Sequence, residues 1–247
     1  MKKYLALIFC LSFLNPIYAA PMPALKIAAN MYNPPFVMQG ANKILYGFDI
    51  DMMEHLCNSI ERTCQYNLIP FHNILDSVEN GTNDIGIGGV TITIERTKAV
   101  AFSIPYLLSY AQYLGLKTKE IANFSDASLA NKKIGIEAGS VLIDLVNKLT
   151  IPNIKVVEFK KLSDLIDALN KQQIDLALMD SATAIYWQNQ YHNRIVTIGE
   201  PFLYGYGFGI AVNKSNAPLL EEINTALLEY QNNGGFQKAY NQYIAQF

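Results

Sequence analysis

The sequence predicts an α/β fold with largely parallel sheets, and three observations predict it. Apolar stretches with strand-like alternation take turns with stretches of helical spacing along most of the chain. The alternation pauses after Lys117 and restarts at Lys133, giving two similar halves and a terminal piece. The 247 residues exceed one minimal domain and suit two domains of roughly 100–120 residues, or one large one.

Taken in order, Leu25 to Ala29 alternates as a strand and ends in the turn-rich stretch Asn30 to Pro35. Phe36 to Ile44 reads as a hairpin around Gly40-Ala41-Asn42. A helix runs from Asp49 to Ile60, because Phe48, Ile50, Met53, Leu56 and Ile60 recur at roughly helical spacing. Cys64 to Ile69 is a strand, Ile74 to Asn80 a short helix, and Asp84 to Val90 an apolar strand with three glycines. Ile94 to Ala99 is a turn or short helix, and Tyr110 to Lys117 a strand. The second half repeats the scheme: strand Lys133 to Ile136, helix Val141 to Leu149, strand Ile154 to Phe159, helix Ser163 to Asn170, strand Ile174 to Met179 and helix Ser181 to Gln190. A strand from Tyr204 to Val212 and a helix from Ala217 to Tyr230 complete it.

The first residues are read apart from the fold. Lys2 and Lys3 precede an apolar run from Tyr4 to Leu14, and Ile17-Tyr18-Ala19-Ala20 follows a break at Asn15-Pro16. That is the pattern of a cleaved export signal, 1–19, with Ala20 as the second candidate site. The run is too short for a spanning helix, which needs about 20 residues. Cys10 follows Leu-Ile-Phe, not the small residue a lipoprotein signal requires. The expected mature protein is exported to the periplasm.

Formal charge is 19 Lys+Arg against 21 Asp+Glu, and removal of Lys2 and Lys3 lowers it to 17 against 21. With 51% hydrophobic and 16% charged residues, a disordered polyelectrolyte is excluded, and the balance argues against a basic nucleic-acid-binding face. Cys57 and Cys64 remain after the signal. In an oxidising compartment they are expected to pair, stapling a helix end to the next strand; two free thiols are the alternative. No His or further Cys lies at metal-ligand spacing, so neither metal nor cofactor is expected.

In open α/β sheets ligands bind beyond the carboxyl ends of the strands, so the residues just after strands matter most. Gly88 and Gly89 let a ligand approach the backbone, Thr91 offers a hydroxyl and an N–H, and Arg96 a planar fork for a carboxylate. The bland alternative for Arg96 is a surface ion pair with a neighbour such as Glu95. Gly139-Ser140 opens a helix whose first N–H groups favour anions, or Ser140 is an ordinary cap. Asp180 either caps the helix after it or takes an ammonium group. Two anion cradles and one cation partner match the zwitterion of a free amino acid.

An ordered set of segments carries a resemblance that spans essentially the whole mature chain. They are Gly47-Phe48-Asp49-Ile50-Asp51, the run from Asn83 to Thr93, Glu95-Arg96, Phe102-Ser103-Ile104-Pro105-Tyr106, the run from Ile134 to Ser140, and Ile174-Asp175-Leu176-Ala177 with Asp180. This set resembles the periplasmic solute-binding proteins for polar amino acids that feed ABC transporters (bacterial extracellular solute-binding proteins of family 3). The Cys57/Cys64 spacing resembles the disulfide of the basic-amino-acid branch.

The resemblance implies a two-lobed periplasmic-binding-protein fold of type II. Each lobe is a mixed, mainly parallel sheet flanked by helices, with two crossover hinge strands and closure like a trap. Lobe 1 is expected at 20–111 and 209–247, lobe 2 at 116–204, and the hinge at 112–115 and 205–208. By position, Arg96 holds the ligand α-carboxylate, helped by the Thr91 N–H and the backbone at Ser140 and Val141. Gly89 C=O beside Gly88, the Thr91 hydroxyl and Asp180 take the α-ammonium. Phe71 is a wall over the ligand. Asn33 stands where relatives usually carry an aromatic ring, and neighbouring Tyr32 offers a ring in its place. Asn30 stands where relatives often carry Asp, and Val141 where many carry Thr. Glu137 matches a ligand-proximal position, and a carboxylate there favours a cationic side chain, giving the order arginine, lysine, glutamine. The expected partners are a free L-amino acid and a membrane-embedded permease, with the binding protein a monomer. Closure is expected to require ligand, because an isolated buried charge is costly.

Catalysis finds little support. No Gly-x-Ser-x-Gly elbow, nucleotide-binding glycine loop or His-Glu-x-x-His segment occurs, and His55, His72 and His192 are scattered. Two other functions fit the resemblance: a periplasmic cyclohexadienyl or arogenate dehydratase with Glu137 as general acid, and a sensor that docks on a membrane receptor.

Overall fold

The computed structural model describes residues 22–117, 124–192 and 194–245, so the expected signal at 1–19 lies outside the described residues. The first run of elements is β1 (Leu25–Asn30), β2 (Met38–Gln39), β3 (Leu45–Tyr46), α1 (Phe48–Ser59), β4 (Cys64–Ile69), α2 (Ile74–Glu79), β5 (Ile85–Ile87) and β6 (Ala101–Phe102). The second is β7 (Tyr110–Leu116), β8 (Lys133–Glu137), α3 (Leu142–Asn147), β9 (Lys155–Phe159), α4 (Leu162–Asn170), β10 (Leu176–Asp180), α5 (Ser181–Gln190) and β11 (Ile195–Leu203). The chain ends with β12 (Ala211–Val212), α6 (Ala217–Asn232) and α7 (Gly235–Tyr243).

Two five-stranded sheets form, in the orders β4-β1-β5-β12-β6 and β11-β7-β10-β8-β9. In the first, β4 and β5 flank β1 in parallel, while β12 runs antiparallel to β5 and β6. In the second, β10, β8 and β9 are parallel, and β7 runs antiparallel to β10 and β11. Strands covered on both faces need near-continuous apolar sequence. β1 meets this, with only Lys26 of its six residues exposed. The carboxyl ends of β1, β8 and β10 are Asn30, Glu137 and Asp180.

The helices cover the sheets through their apolar stripes. Phe48, at the start of α1, is fully buried; its ring stacks on Tyr106 at 6.1 Å and meets Phe236 of α7 edge-on at 5.8 Å. Burying one such side chain contributes about 2–3 kcal/mol. Cys57 near the end of α1 and Cys64 at the start of β4 form the disulfide, with Cα atoms 5.9 Å apart. Among the described residues no helix is long and apolar enough to cross a membrane.

β6, β11 and α7 escaped the sequence reading, β6 because it has only two residues. β11 did so because Gly199-Glu200-Pro201 interrupts its apolar pattern; its pairing with β7 shifts register between Ile198 and Phe202, and proline cannot donate to a ladder. α7 did so because Ala239 is its one fully buried residue. The expected strand from Tyr204 to Val212 shrinks to β12. Its first part is a crossing segment held by isolated bridges, such as Thr91 and Leu107 to Phe208. Residues 112–115 lie inside β7, paired on both sides, and the chain passes between the sheets at 103–109 and 204–210.

Candidate functional site

A cleft between the two sheets holds a cavity of about 30 Å³, and its wall includes Asn33, Phe71, Gly89, Thr91, Arg96, Glu137, Ser140, Val141, Asp180 and Tyr204. Nine of these ten come from the twelve residues picked out in the sequence. They arrive from both halves because each parallel strand ends at the same edge of its sheet.

On the first sheet's side, the loop after β5 is shaped by Asp49. The carboxylate of this fully buried residue accepts from the N–H groups of Gly88 (2.8 Å) and Gly89 (3.1 Å) and from the Tyr106 hydroxyl (2.9 Å). Burial pushes its carboxyl up to about 6, with these donors opposing the shift. Gly89 sits at φ +71°, and a Cβ there would lie 3.2 Å from the Asp180 carboxylate, so glycine keeps the backbone open to the cleft.

Arg96 reaches across. Its Nη1 donates to the Thr91 carbonyl (2.8 Å) and its Nη2 to the Gly139 carbonyl (2.9 Å) on the second half. The guanidinium carbon stands 5.6 Å from the centre of the Phe71 ring. These bonds use two of five N–H donors. Burial lowers its pKa, while the neighbouring Tyr204 and Asp180 counteract. The ion pair with Glu95 does not form: Glu95 pairs with Lys98 at 2.5 Å.

On the second sheet's side, Asp180 stands at the start of α5 without capping it. Its carboxylate accepts from the Tyr204 hydroxyl, which accepts from the Thr91 hydroxyl (3.2 Å). Burial pushes Asp180 up to about 7 against the pull of Tyr204 and Arg96. Glu137 ends β8, and the Asn30 amide donates to its two oxygens at 3.2 and 3.4 Å. Burial pushes Glu137 up to about 8; Asn30 opposes this and Asp180 adds to it. Ser140 stands one residue before the N-cap position of α3, which is Val141; its N–H donates to the Glu137 carbonyl (3.1 Å), and its hydroxyl accepts from the Leu142 N–H (3.2 Å). Gly139 (φ +81°) lies so close to His72 that a Cβ would come within 2.7 Å of the His72 Cα.

The remaining residues stand behind or beside the wall. Asn33 is buried, donates to the Gly88 carbonyl (3.1 Å) and accepts from the Thr183 hydroxyl of α5 (3.1 Å). Asn30 and Gly88 back the wall through Glu137 and Asn33. Tyr32 does not replace the missing ring over the cleft; it meets Tyr186 (3.3 Å between hydroxyl oxygens) and the Trp187 ring (6.2 Å) on α5.

Sequence reasoning missed Tyr204, and with it the link from Thr91 to Asp180. The available signal was Tyr204-Gly205-Tyr206-Gly207, which suits a turning crossing better than a strand. It also missed the apolar floor of Leu142, Leu162, Leu178 and Met179. Leu178 and Met179 directly precede Asp180, whereas Leu162 carried no local signal.

The chain was compared with known proteins. The model of the bacterial extracellular solute-binding proteins, family 3, matches residues 25–246. The chain is 30% identical to "ABC transporter arginine-binding protein 1" of Escherichia coli strain K12, covering 100% of both chains. Among solved structures, an arginine 3rd transport system periplasmic binding protein from Legionella pneumophila matches with TM-score 0.83 and 30% identity, over 90% of this chain and 100% of that one. An ancestral arginine-binding protein bound to arginine matches with TM-score 0.83 and 30% identity, over 91% and 99%.

Proposed function

The chain belongs to family 3 of the bacterial extracellular solute-binding proteins, and from that premise we propose that it captures a free basic L-amino acid in the periplasm and delivers it to an ABC transporter permease. Its family and the relatives compared are binding proteins rather than enzymes. Arginine is the first candidate, ahead of lysine and glutamine.

One observation carries this reading: Arg96, Asp180 and Glu137 face one cavity, with one cation and two carboxylates. A zwitterion with a cationic side chain carries the complementary set, two positive groups and one negative. In this proposal the remaining Arg96 donors and the Thr91 N–H take the α-carboxylate. Asp180, the Thr91 hydroxyl and the Gly89 carbonyl take the α-ammonium, and Glu137 takes the side-chain cation. Phe71 covers the ligand's apolar stem. The two sheets act as lobes, and the passages at 103–109 and 204–210 act as the hinge. Closure follows from contacts made to both lobes at once, which is a population shift driven by differential affinity.

A thermal-shift screen of the twenty amino acids tests this, since a ligand that binds only the folded state raises its apparent stability. The expected result is a clear rise with arginine, less with lysine and glutamine, and none with acidic residues. No shift with any basic amino acid would refute the proposal.

A further inference from the structure

We infer that this cleft exchanges a proton on Glu137 for the positive charge of a ligand side chain, so that pH sets its preference between cationic and neutral amino acids. The inference rests on the amino-acid-binding reading above and adds its regulation.

The geometry is specific. Among the described residues, the Glu137 carboxylate accepts side-chain hydrogen bonds from Asn30 alone, across the cleft. Ion pairs among the described residues are Glu95–Lys98 and Asp167–Lys171, both on the surface. The charged and titratable groups sharing the cavity are Arg96, Asp180 from β10 and Tyr204 from the return crossing; His72 backs onto Gly139 from the turn before α2. Arg96 balances Asp180, and a zwitterionic backbone adds one charge of each sign. Glu137 is then the group left without a counter-charge. A guanidinium or ammonium side chain supplies one. An amide side chain does not, and Glu137 must hold a proton beside it.

Burial already holds the Glu137 carboxyl up to about 8 in the closed cleft. Below that pH the closed site carries the proton, and a cationic ligand must displace it. Raising the pH therefore favours arginine over glutamine, by up to about tenfold in relative affinity per pH unit for one linked proton. Asp180 is also pushed up, to about 7, but it faces the α-ammonium that both ligands carry, so its titration cancels in the ratio.

The test is calorimetric titration of arginine and glutamine into the wild-type protein and Glu137→Gln between about pH 5.5 and 8. The arginine-to-glutamine affinity ratio is expected to rise more than about tenfold across this range in the wild type, and to stay flat in Glu137→Gln. Repeating the wild-type titrations in buffers of different ionisation heat counts protons without any variant; the glutamine complex is expected to hold about one proton more than the arginine complex below about pH 8. A flat wild-type ratio with arginine bound overturns the proton exchange alone. A slope that survives in Glu137→Gln assigns the proton elsewhere and overturns the role of Glu137. Failure to bind either amino acid at any pH overturns the reading beneath.

Discussion

Asp49 on one side of the cleft and Glu137 with Asp180 on the other are withdrawn carboxylates that draw their donors from different places. Asp49 takes two donors from its own half, the glycine N–H groups of the loop after β5, and a third from Tyr106 on the outgoing crossing. Glu137 takes its side-chain donor from β1 of the other sheet, and Asp180 takes a hydroxyl from the crossing between sheets. The two glycine bonds of the first arrangement lie within one half and fix the shape of the loop. The second lasts only while the halves are together, and a ligand's cationic groups can take over. A carboxylate fed from within its own unit is structural; one fed across a cleft is available for exchange.

Breaking each side separately should give different symptoms. The largest effect is expected from Arg96→Ala, which removes the one cation of the site. Arginine affinity should fall more than about hundredfold, as for loss of a charge-assisted contact in a desolvated site. The apo melting temperature should move by no more than about 2 °C. Unchanged affinity by calorimetry would remove Arg96 from the site.

Next comes Asp49→Ala, which orphans three buried donors. The expected cost is about 2–3 kcal/mol, seen as a drop of roughly 5–10 °C in apo melting temperature. A ligand-binding defect without that drop would erase the distinction between the two sides.

Glu137→Gln should do the reverse. It should weaken arginine by about tenfold or more and change glutamine little; equal losses would refute its role. It should also alter stability with pH. The Glu137 carboxyl is raised in the fold, so its favourable contribution is complete below the unfolded value and is lost as pH climbs towards about 8. Wild-type apo protein should therefore melt lower at pH 8 than at pH 5, and the variant should show a shallower decline, with Asp49 and Asp180 supplying the rest.

The smallest effect is expected from Thr183→Val, which leaves the buried Asn33 oxygen without its cross-cleft donor. About 1 kcal/mol should appear as a several-fold loss of ligand affinity, with apo stability nearly unchanged.

Most of the sheet scaffold was legible because parallel strands buried on both faces advertise themselves as apolar runs, as β1 and β10 do. β11 was not, since a bulge over Gly199-Glu200-Pro201 breaks its pattern while β7 still pairs with it. Glu137 and Asp180 were legible from their positions at strand ends, and Arg96 from the segment that follows the glycines after β5. What hid was their connectivity. The sequence could not say that Tyr204 would bridge Thr91 and Asp180, that Asn33 would bond to Thr183, or that Tyr32 would turn towards α5, because each depends on a contact between the two halves. Asp49 stood in the motif that carried the resemblance, yet its grip on Gly88 and Gly89 needed coordinates.

The central claim is that this cleft recognises both ends of a basic amino acid by charge. Calorimetric titration of L-arginine beside agmatine, which keeps the guanidinium but lacks the α-carboxylate, tests it most directly. Saturable binding of arginine at one site per chain with no measurable binding of agmatine is the predicted result. Equal affinity for the two, or no heat with arginine, would contradict it.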